Sequence, residues 1–321
     1  MNKPKRNLIL LFVLVVLAGL YFLSDIILTN KESTFNPDII KIDTNQITKI
    51  IIYQKELQGD SIVLELKDNY WEMRNKELNA PASAGSLHNL FRELAAFKPE
   101  RLASVSQKDW AEFQVNDSSS TRFTIKNKEN QTIIDLILGK ISFQAKNGSG
   151  MYGNQQRNVD GITYFRINGE DITYAANSFL GMIVNTPPMG WRERTIAQIN
   201  PVDITRIKVK TPEFAYTLEQ KDKIWYLGES AIDSNLIKNY LNQFTYMAFN
   251  VFDDNPPAQI ESEFELSIET SVASPLTISG KAINDSTLLI HSTINPAWFR
   301  VRKDDQQFLQ SFAKPEHFRP N

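Results

Sequence analysis

The sequence predicts an α+β fold: two related modules of antiparallel β-sheet with packed helices, preceded by one amino-terminal transmembrane helix. Three observations carry the prediction. Residues 8–23 form an unbroken apolar run, short segments of alternating apolar and polar residues follow it, and one order of such segments returns in the second half of the chain.

The apolar run continues through Ile26, Ile27 and Leu28, past Ser24 and Asp25. Residues 8–28 match the roughly 20 helical residues needed to cross a hydrocarbon core about 30 Å thick. Lys3, Lys5 and Arg6 precede the run and no comparable basic cluster follows at once. Positive residues stay on the cytoplasmic side, so the expected arrangement is a single pass of the inner (cytoplasmic) membrane with the bulk of the chain extracytoplasmic, that is, periplasmic. A cleaved signal peptide is the competing reading, because Ala18 and Gly19 are small residues near the end of the apolar region. The run is longer than the about 7 to 15 residues of a signal h-region and no clear A-x-A follows, so the uncleaved anchor is preferred.

Composition bounds the rest. The chain has 321 residues, of which 42% are hydrophobic and 11% aromatic, which is a globular balance. A formal net charge of -2 supplies no field that would gather nucleic acid. There is no Cys, which removes disulfides, thiolate nucleophiles, Cys-ligated metals and lipid-modified cysteine together.

Five segments result: a cytoplasmic tip and anchor at 1–28, a polar spacer at 29–44, module one at 45–185, a linker at 186–201 and module two at 202–315. In module one, Ile47, Ile50 and Ile52, then Ile62, Leu64 and Leu66, read as strands, and Asp68-Asn69 turns the chain into Tyr70-Trp71-Glu72-Met73. Leu87, Leu90, Phe91 and Leu94 have the i, i+3, i+4, i+7 spacing of an amphipathic helix, with Ser83 as its expected N-cap. Further strands are expected over 122–126, over 132–138 with Gly139 as the stop, and over 163–167, and a short helix near 171–180.

The second half repeats this order. Ile47-Thr48-Lys49-Ile50 returns as Ile204-Thr205-Arg206-Ile207, and Leu64-Glu65-Leu66-Lys67-Asp68 with Trp71 returns as Leu218-Glu219-Gln220-Lys221-Asp222 with Trp225. Ile237, Tyr240, Leu241 and Phe244 repeat the helix spacing behind Asp233 as cap, and Trp298-Phe299-Arg300-Val301 echoes Tyr164-Phe165-Arg166-Ile167.

Taken with the anchor and with Trp191-Arg192-Glu193-Arg194-Thr195-Ile196 before the second module, this order resembles the family called domain of unknown function 4340 over nearly the whole chain. The chain departs from the family pattern at 104–120, where Trp110 to Val115 stand in place of a tyrosine-glycine-leucine turn followed by proline. The resemblance implies membrane-tethered extracytoplasmic proteins that accompany ABC-type transporters of the gliding-motility kind. It implies no catalytic residues.

Candidate chemistry is sparse. His88, His291 and His317 lie in different elements without metal-ligand spacing. Gly148-Ser149-Gly150 lacks the spacing of a nucleophile elbow, and Gly139-Lys140-Ile141 lacks both the upstream glycine and the Ser/Thr of a phosphate-binding loop. Asp304-Asp305 reads as helix capping, and Asp253-Asp254 as a turn without the residue order of a calcium loop. Trp71 and Trp225 read as core filling, and Arg166 and Arg300 as packed stems that reach a carboxylate. Trp191, Arg192 and Arg194 in the linker are the candidate inter-module or docking surface.

The sequence therefore predicts no catalytic, cofactor-binding or metal residues and no cofactor. The expected protein is a non-enzymatic, membrane-anchored component that works by protein contact in a cell-envelope or transporter-associated complex. Its partners are the membrane and other envelope proteins, an ABC-type transporter among them, and not nucleic acid. Two other readings stay open: a carbohydrate or small-ligand-binding module using the aromatics and residues 147–161, and a hydrolase with an unrecognised carboxylate site.

Overall fold

The computed structural model of the chain describes residues 37–76, 78–145, 159–257 and 260–319. The apolar run at 8–28, the spacer up to residue 36, Gly148-Ser149-Gly150 and residues 147–158 of the Gly- and Asn-rich segment lie outside the described residues. Among those described, no helix is long and apolar enough to cross a membrane. The chain divides into two compact units: up to Leu78 with Gly85–Pro188, and Asn79–Ala84 with the residues from Met189 on.

The first sheet contains β1 (Lys49–Tyr53), β2 (Ile62–Lys67), β3 (Tyr70–Asn75), β4 (Leu78–Pro81), β5 (Arg101–Ser104), β6 (Thr121–Lys126), β7 (Thr132–Ala145), β8 (Val159–Ile167) and β9 (Thr173–Asn177). Its order is β4-β3-β2-β1-β6-β7-β8-β9-β5. Period-2 alternation fixes the register. Ile50 lies opposite Leu64 on one side and Ile125 on the other, and all three are fully buried. Each such side chain is worth about 1.5–3 kcal/mol when buried, and a slip of one residue would bring Lys49 inward in place of Ile50. Helix α1 (Ala84–Ala96) buries Leu87, Leu90 and Leu94, and Phe91 meets Trp71 edge-on at 5.4 Å. Two short helices follow, α2 (Trp110–Phe113) and α3 (Leu180–Val184).

The second unit contains β10 (Thr195–Ala197), β11 (Ile204–Lys210), β12 (Ala215–Lys221), β13 (Ile224–Leu227), β14 (Ser230–Ala231), helix α4 (Ser234–Asn242), β15 (Met247–Ala248), β16 (Phe252–Asp253), β17 (Phe264–Thr270), β18 (Leu276–Ala282), β19 (Thr287–Ser292), β20 (Asn295–Arg302) and helix α5 (Gln306–Ser311). Strands β10 and β15 pair separately, and the other nine form a sheet ordered β14-β13-β12-β11-β17-β18-β19-β20-β16. The two nine-stranded orders are the same, position by position.

Equivalent positions carry equivalent chemistry. Ile207 lies between Leu218 and Ile268 as Ile50 lies between Leu64 and Ile125. On the opposite face Arg206 lies across from Glu219 as Lys49 lies across from Glu65. Trp225 takes the hairpin place of Trp71 and is buried in the second core. Asp233 caps α4 by accepting from the Asn235 and Leu236 amides.

Three sequence expectations need correction. The echo between residues 164–167 and 298–301 does not mark equivalent strands: the former lie in β8, seventh in its sheet, and the latter in β20, eighth. Arg166 and Arg300 differ accordingly, the first being buried and the second half-exposed. Gly139 does not end β7, which bulges there and runs on to Ala145. A Cβ on Gly139 would stand 2.2 Å from the Phe113 carbonyl oxygen, so the glycine allows a close approach of backbone instead. The helix expected near 171–180 is mostly strand β9, because Tyr174 and Ala175 pair with Phe165 and Tyr164 of β8; only Leu180–Val184 is helical.

Candidate functional site

The linker residues singled out in the sequence sit in a polar node of the second unit. Pro188 opens a single 3-10 turn that ends at Trp191, and the Trp191 side chain is fully buried. From there the backbone is tied down residue by residue. Ser83 N–H donates to the Trp191 carbonyl at 2.7 Å, Arg192 bridges Ala82, and Glu193 N–H donates to the Pro81 carbonyl at 2.9 Å. Thr195 then enters β10, opposite Ala248.

Two side chains of the second sheet hold the same segment. Asn295, buried on β20, donates its amide to the Glu193 and Thr195 carbonyls at 3.1 and 3.0 Å. Ser292, at the end of β19, donates to the Ile196 carbonyl at 2.6 Å. Backbone groups buried away from water need such partners, and here each is met by a short polar side chain from a neighbouring strand.

Charge is matched pairwise. The Arg192 guanidinium, almost wholly buried, donates two hydrogen bonds to Asp254 at 2.7 and 3.2 Å and lies over the Phe252 ring at 3.7 Å. The planar fork suits a carboxylate and an aromatic face at once. Asp253 turns the other way and accepts from Arg300 Nε at 2.8 Å, which, against the opposing effect of burial, holds its carboxyl below the usual range. Glu193 accepts from the Ala84, Arg194 and Thr195 backbone amides at 2.9, 2.9 and 2.8 Å. Burial pushes the Glu193 carboxyl up, and hydrogen bonding, from the Thr195 side chain first and from these backbone amides after it, more than reverses this, so it lies below its ordinary value. Arg194 is more open and donates to Asn250 Oδ1 at 2.9 Å.

The remaining candidates have separate places. His88 is exposed on α1, His291 lies against Trp298 at 4.8 Å with its pKa lowered by burial, and His317 meets Phe318 edge-on. Asp304 pairs with Arg302, and Asp305 caps α5 by accepting from Phe308 N–H. Lys140 lies over the rings of Phe113 and Tyr164, at 4.9 and 5.2 Å. Arg166 donates to the Val115 carbonyl and to Asp117 and stacks on Trp110 at 4.1 Å. Among the described residues, no group of three or more His, Asp or Glu side chains has the arrangement of a metal site.

Sequence reasoning named Trp191, Arg192 and Arg194 within the stretch that includes Glu193, but missed Asn295 and Ser292, which bind the segment. The structure brings Arg192 to Asp254, which the sequence reading had assigned to an isolated turn.

The family model described as Domain of unknown function (DUF4340) matches residues 71–263, more than half of the chain. No curated protein and no solved structure matches the chain.

Proposed function

We propose that this chain, which belongs to the DUF4340 family, is a non-enzymatic, membrane-anchored extracytoplasmic protein that acts by contact with other proteins of a cell-envelope or transporter-associated complex. In this reading residues 8–28 cross the membrane once, and the two units, descended from one duplicated module, work beyond it. The carrying observation is how the candidate polar residues are used. Asp253, Asp254, Asp304, Asp305 and Glu193 each hold an arginine or a backbone amide of their own fold. Side chains committed to internal pairs serve a scaffold, and a scaffold with two sheets of one strand order offers extended surfaces to a partner.

The test is affinity purification of the tagged full-length chain from detergent-solubilised membranes after mild crosslinking. The expected result is the same co-purifying membrane proteins in independent preparations. Repeated recovery of the chain alone would refute the reading.

A further inference from the structure

The first unit carries a groove that the polar node does not explain. Two adjoining hollows, of about 410 and 340 Å³, share Gln54 and Lys55 and lie beside the end of β1, the start of β6 and the mid-strand bulge of β7. We propose that this groove binds a neutral, hydroxyl-rich ligand, a short oligosaccharide, with the Gln54 side-chain oxygen accepting from a ligand hydroxyl.

Gln54 is the centre of the argument. It follows β1 directly and is only 5% exposed, a rare setting for a glutamine. Its Nε2 donates to the Val184 and Thr186 carbonyls at 2.6 and 2.8 Å. Those two carbonyls fix the amide orientation, since the flipped form would set oxygen against oxygen. Among the described residues Oε1 receives no hydrogen bond, and it is not sealed in the interior as the buried unpartnered atoms are. An acceptor is thus held rigidly and left open on the hollow. The shared strand order does not demand it: the equivalent position in the second sheet is Thr211, whose hydroxyl is used within its own turn by Phe214 and Glu213.

The walls are built with similar care. Gln114 lines the hollow from the left-handed conformation, with φ of 56°, and Gly139 is the only residue type that lets the Phe113 carbonyl lie against β7. Thr121, 4% exposed, donates to Asn185 Oδ1 at 2.6 Å, and Asn185 donates on to the Gly181 carbonyl at 2.8 Å. Leu57 and Pro187 supply apolar surface to the first hollow, and Tyr53, 40% exposed and with the Arg122 guanidinium 5.9 Å from its ring centroid, lines the second.

Electrostatics selects the ligand class. Every charged side chain that lines the groove has a partner: Lys55 with Glu56, Asp117 with Arg166, Arg122 with Asp135, and Asp60 with the Lys76 amide. An anionic ligand would have to compete with Glu56 and Asp135 for Lys55 and Arg122, and would meet the carboxylates of Glu56, Asp60 and Asp117 along the groove. A neutral ligand needs only the amides, the hydroxyls, the apolar wall and the tyrosine ring, which is the equipment of a sugar site.

The proposal is independent of the protein-contact reading and is tested by binding, not by co-purification. Full-length protein in a detergent without a sugar head group is titrated with maltotriose, cellotriose and chitotriose, followed by saturation-transfer NMR, with trialanine as the peptide comparator. The expected result is binding of at least one trisaccharide with a Kd between about 10 μM and a few mM. Gln54→Met, which keeps the shape and loses the acceptor, and Gln114→Gly, which keeps the left-handed backbone, each weaken it tenfold or more. Should Gln54→Met fail to fold, Gln114→Gly and Tyr53→Ala still decide the location. The proposal is overturned by no saccharide binding at 10 mM, by undiminished binding in the folded variants, or by trialanine binding in place of the sugars.

Discussion

Removing the exposed partner of the Arg192–Asp254 pair destabilises the second unit more than removing the buried one. The asymmetry comes from exposure, since the Arg192 side chain is 6% exposed and Asp254 52%. In Arg192→Leu the leucine fills part of the vacated space and Asp254 turns to water, so the loss is the two charge-assisted hydrogen bonds, less the residual solvation of Asp254, plus the stacking on Phe252. With the carboxylate half in water the two bonds together approach the about 1 kcal/mol of a solvent-screened ion pair, and the cation–π contact adds about 1, giving about 2 kcal/mol. In Asp254→Ala the guanidinium stays buried without its counter-charge, and its Nε already lacks a partner among the described residues. Stranding a buried charge costs about 3–5 kcal/mol. Native-state hydrogen exchange read on peptides covering β20, with β6 peptides as the reference, reports the local free energy. An Arg192→Leu effect equal to or larger than that of Asp254→Ala would refute the reasoning.

Three further outcomes follow from the same geometry. Glu65 is held at about 2, first by its hydrogen bond to Lys67, against burial, with Lys49 adding to the effect. A depressed carboxylate stabilises the fold fully above its unfolded value of 4.5, and that stabilisation is lost as pH falls toward about 2, so Glu65→Gln flattens the drop in urea midpoint between about pH 5 and pH 3. Gly280→Ala places a Cβ 2.0 Å from the Leu289 carbonyl oxygen, inside the β18–β19 pairing, and is expected to lower stability by more than about 3 kcal/mol; a melting temperature within two degrees of the parent would contradict this. Asp233→Ala removes the cap that receives the Asn235 and Leu236 amides, with a loss of about 1 kcal/mol in urea titration, and Asp233→Asn restores most of it.

Periodic features were legible in the sequence and non-local ones were not. The rows through Ile50 and Ile207 could be read because apolar alternation and a charged turn are local signals, and both halves carry them at the same spacing. Helix α1 was legible from Leu87, Leu90 and Leu94 for the same reason. The aromatic-arginine echo failed because two short strands side by side in a sheet share one alternation, so pattern alone cannot tell β19 from β20. Strand β9 was misread because Tyr174-Ala175-Ala176 has no strong preference, and its pairing with β8 and β5 decides the outcome. Of the polar node only the linker stretch around Arg192 was legible, because Asp254, Ser292 and Asn295 lie far from it in the chain. The groove escaped because a lone Gln54 after a strand gives no sign of being buried.

Topology is the claim on which the functional account rests most directly, and paired reporters at the carboxyl terminus test it. Alkaline phosphatase fused after Asn321 is expected to be active, and green fluorescent protein at the same place to be dark. Bright fluorescence with inactive phosphatase would put both units in the cytosol and contradict the account.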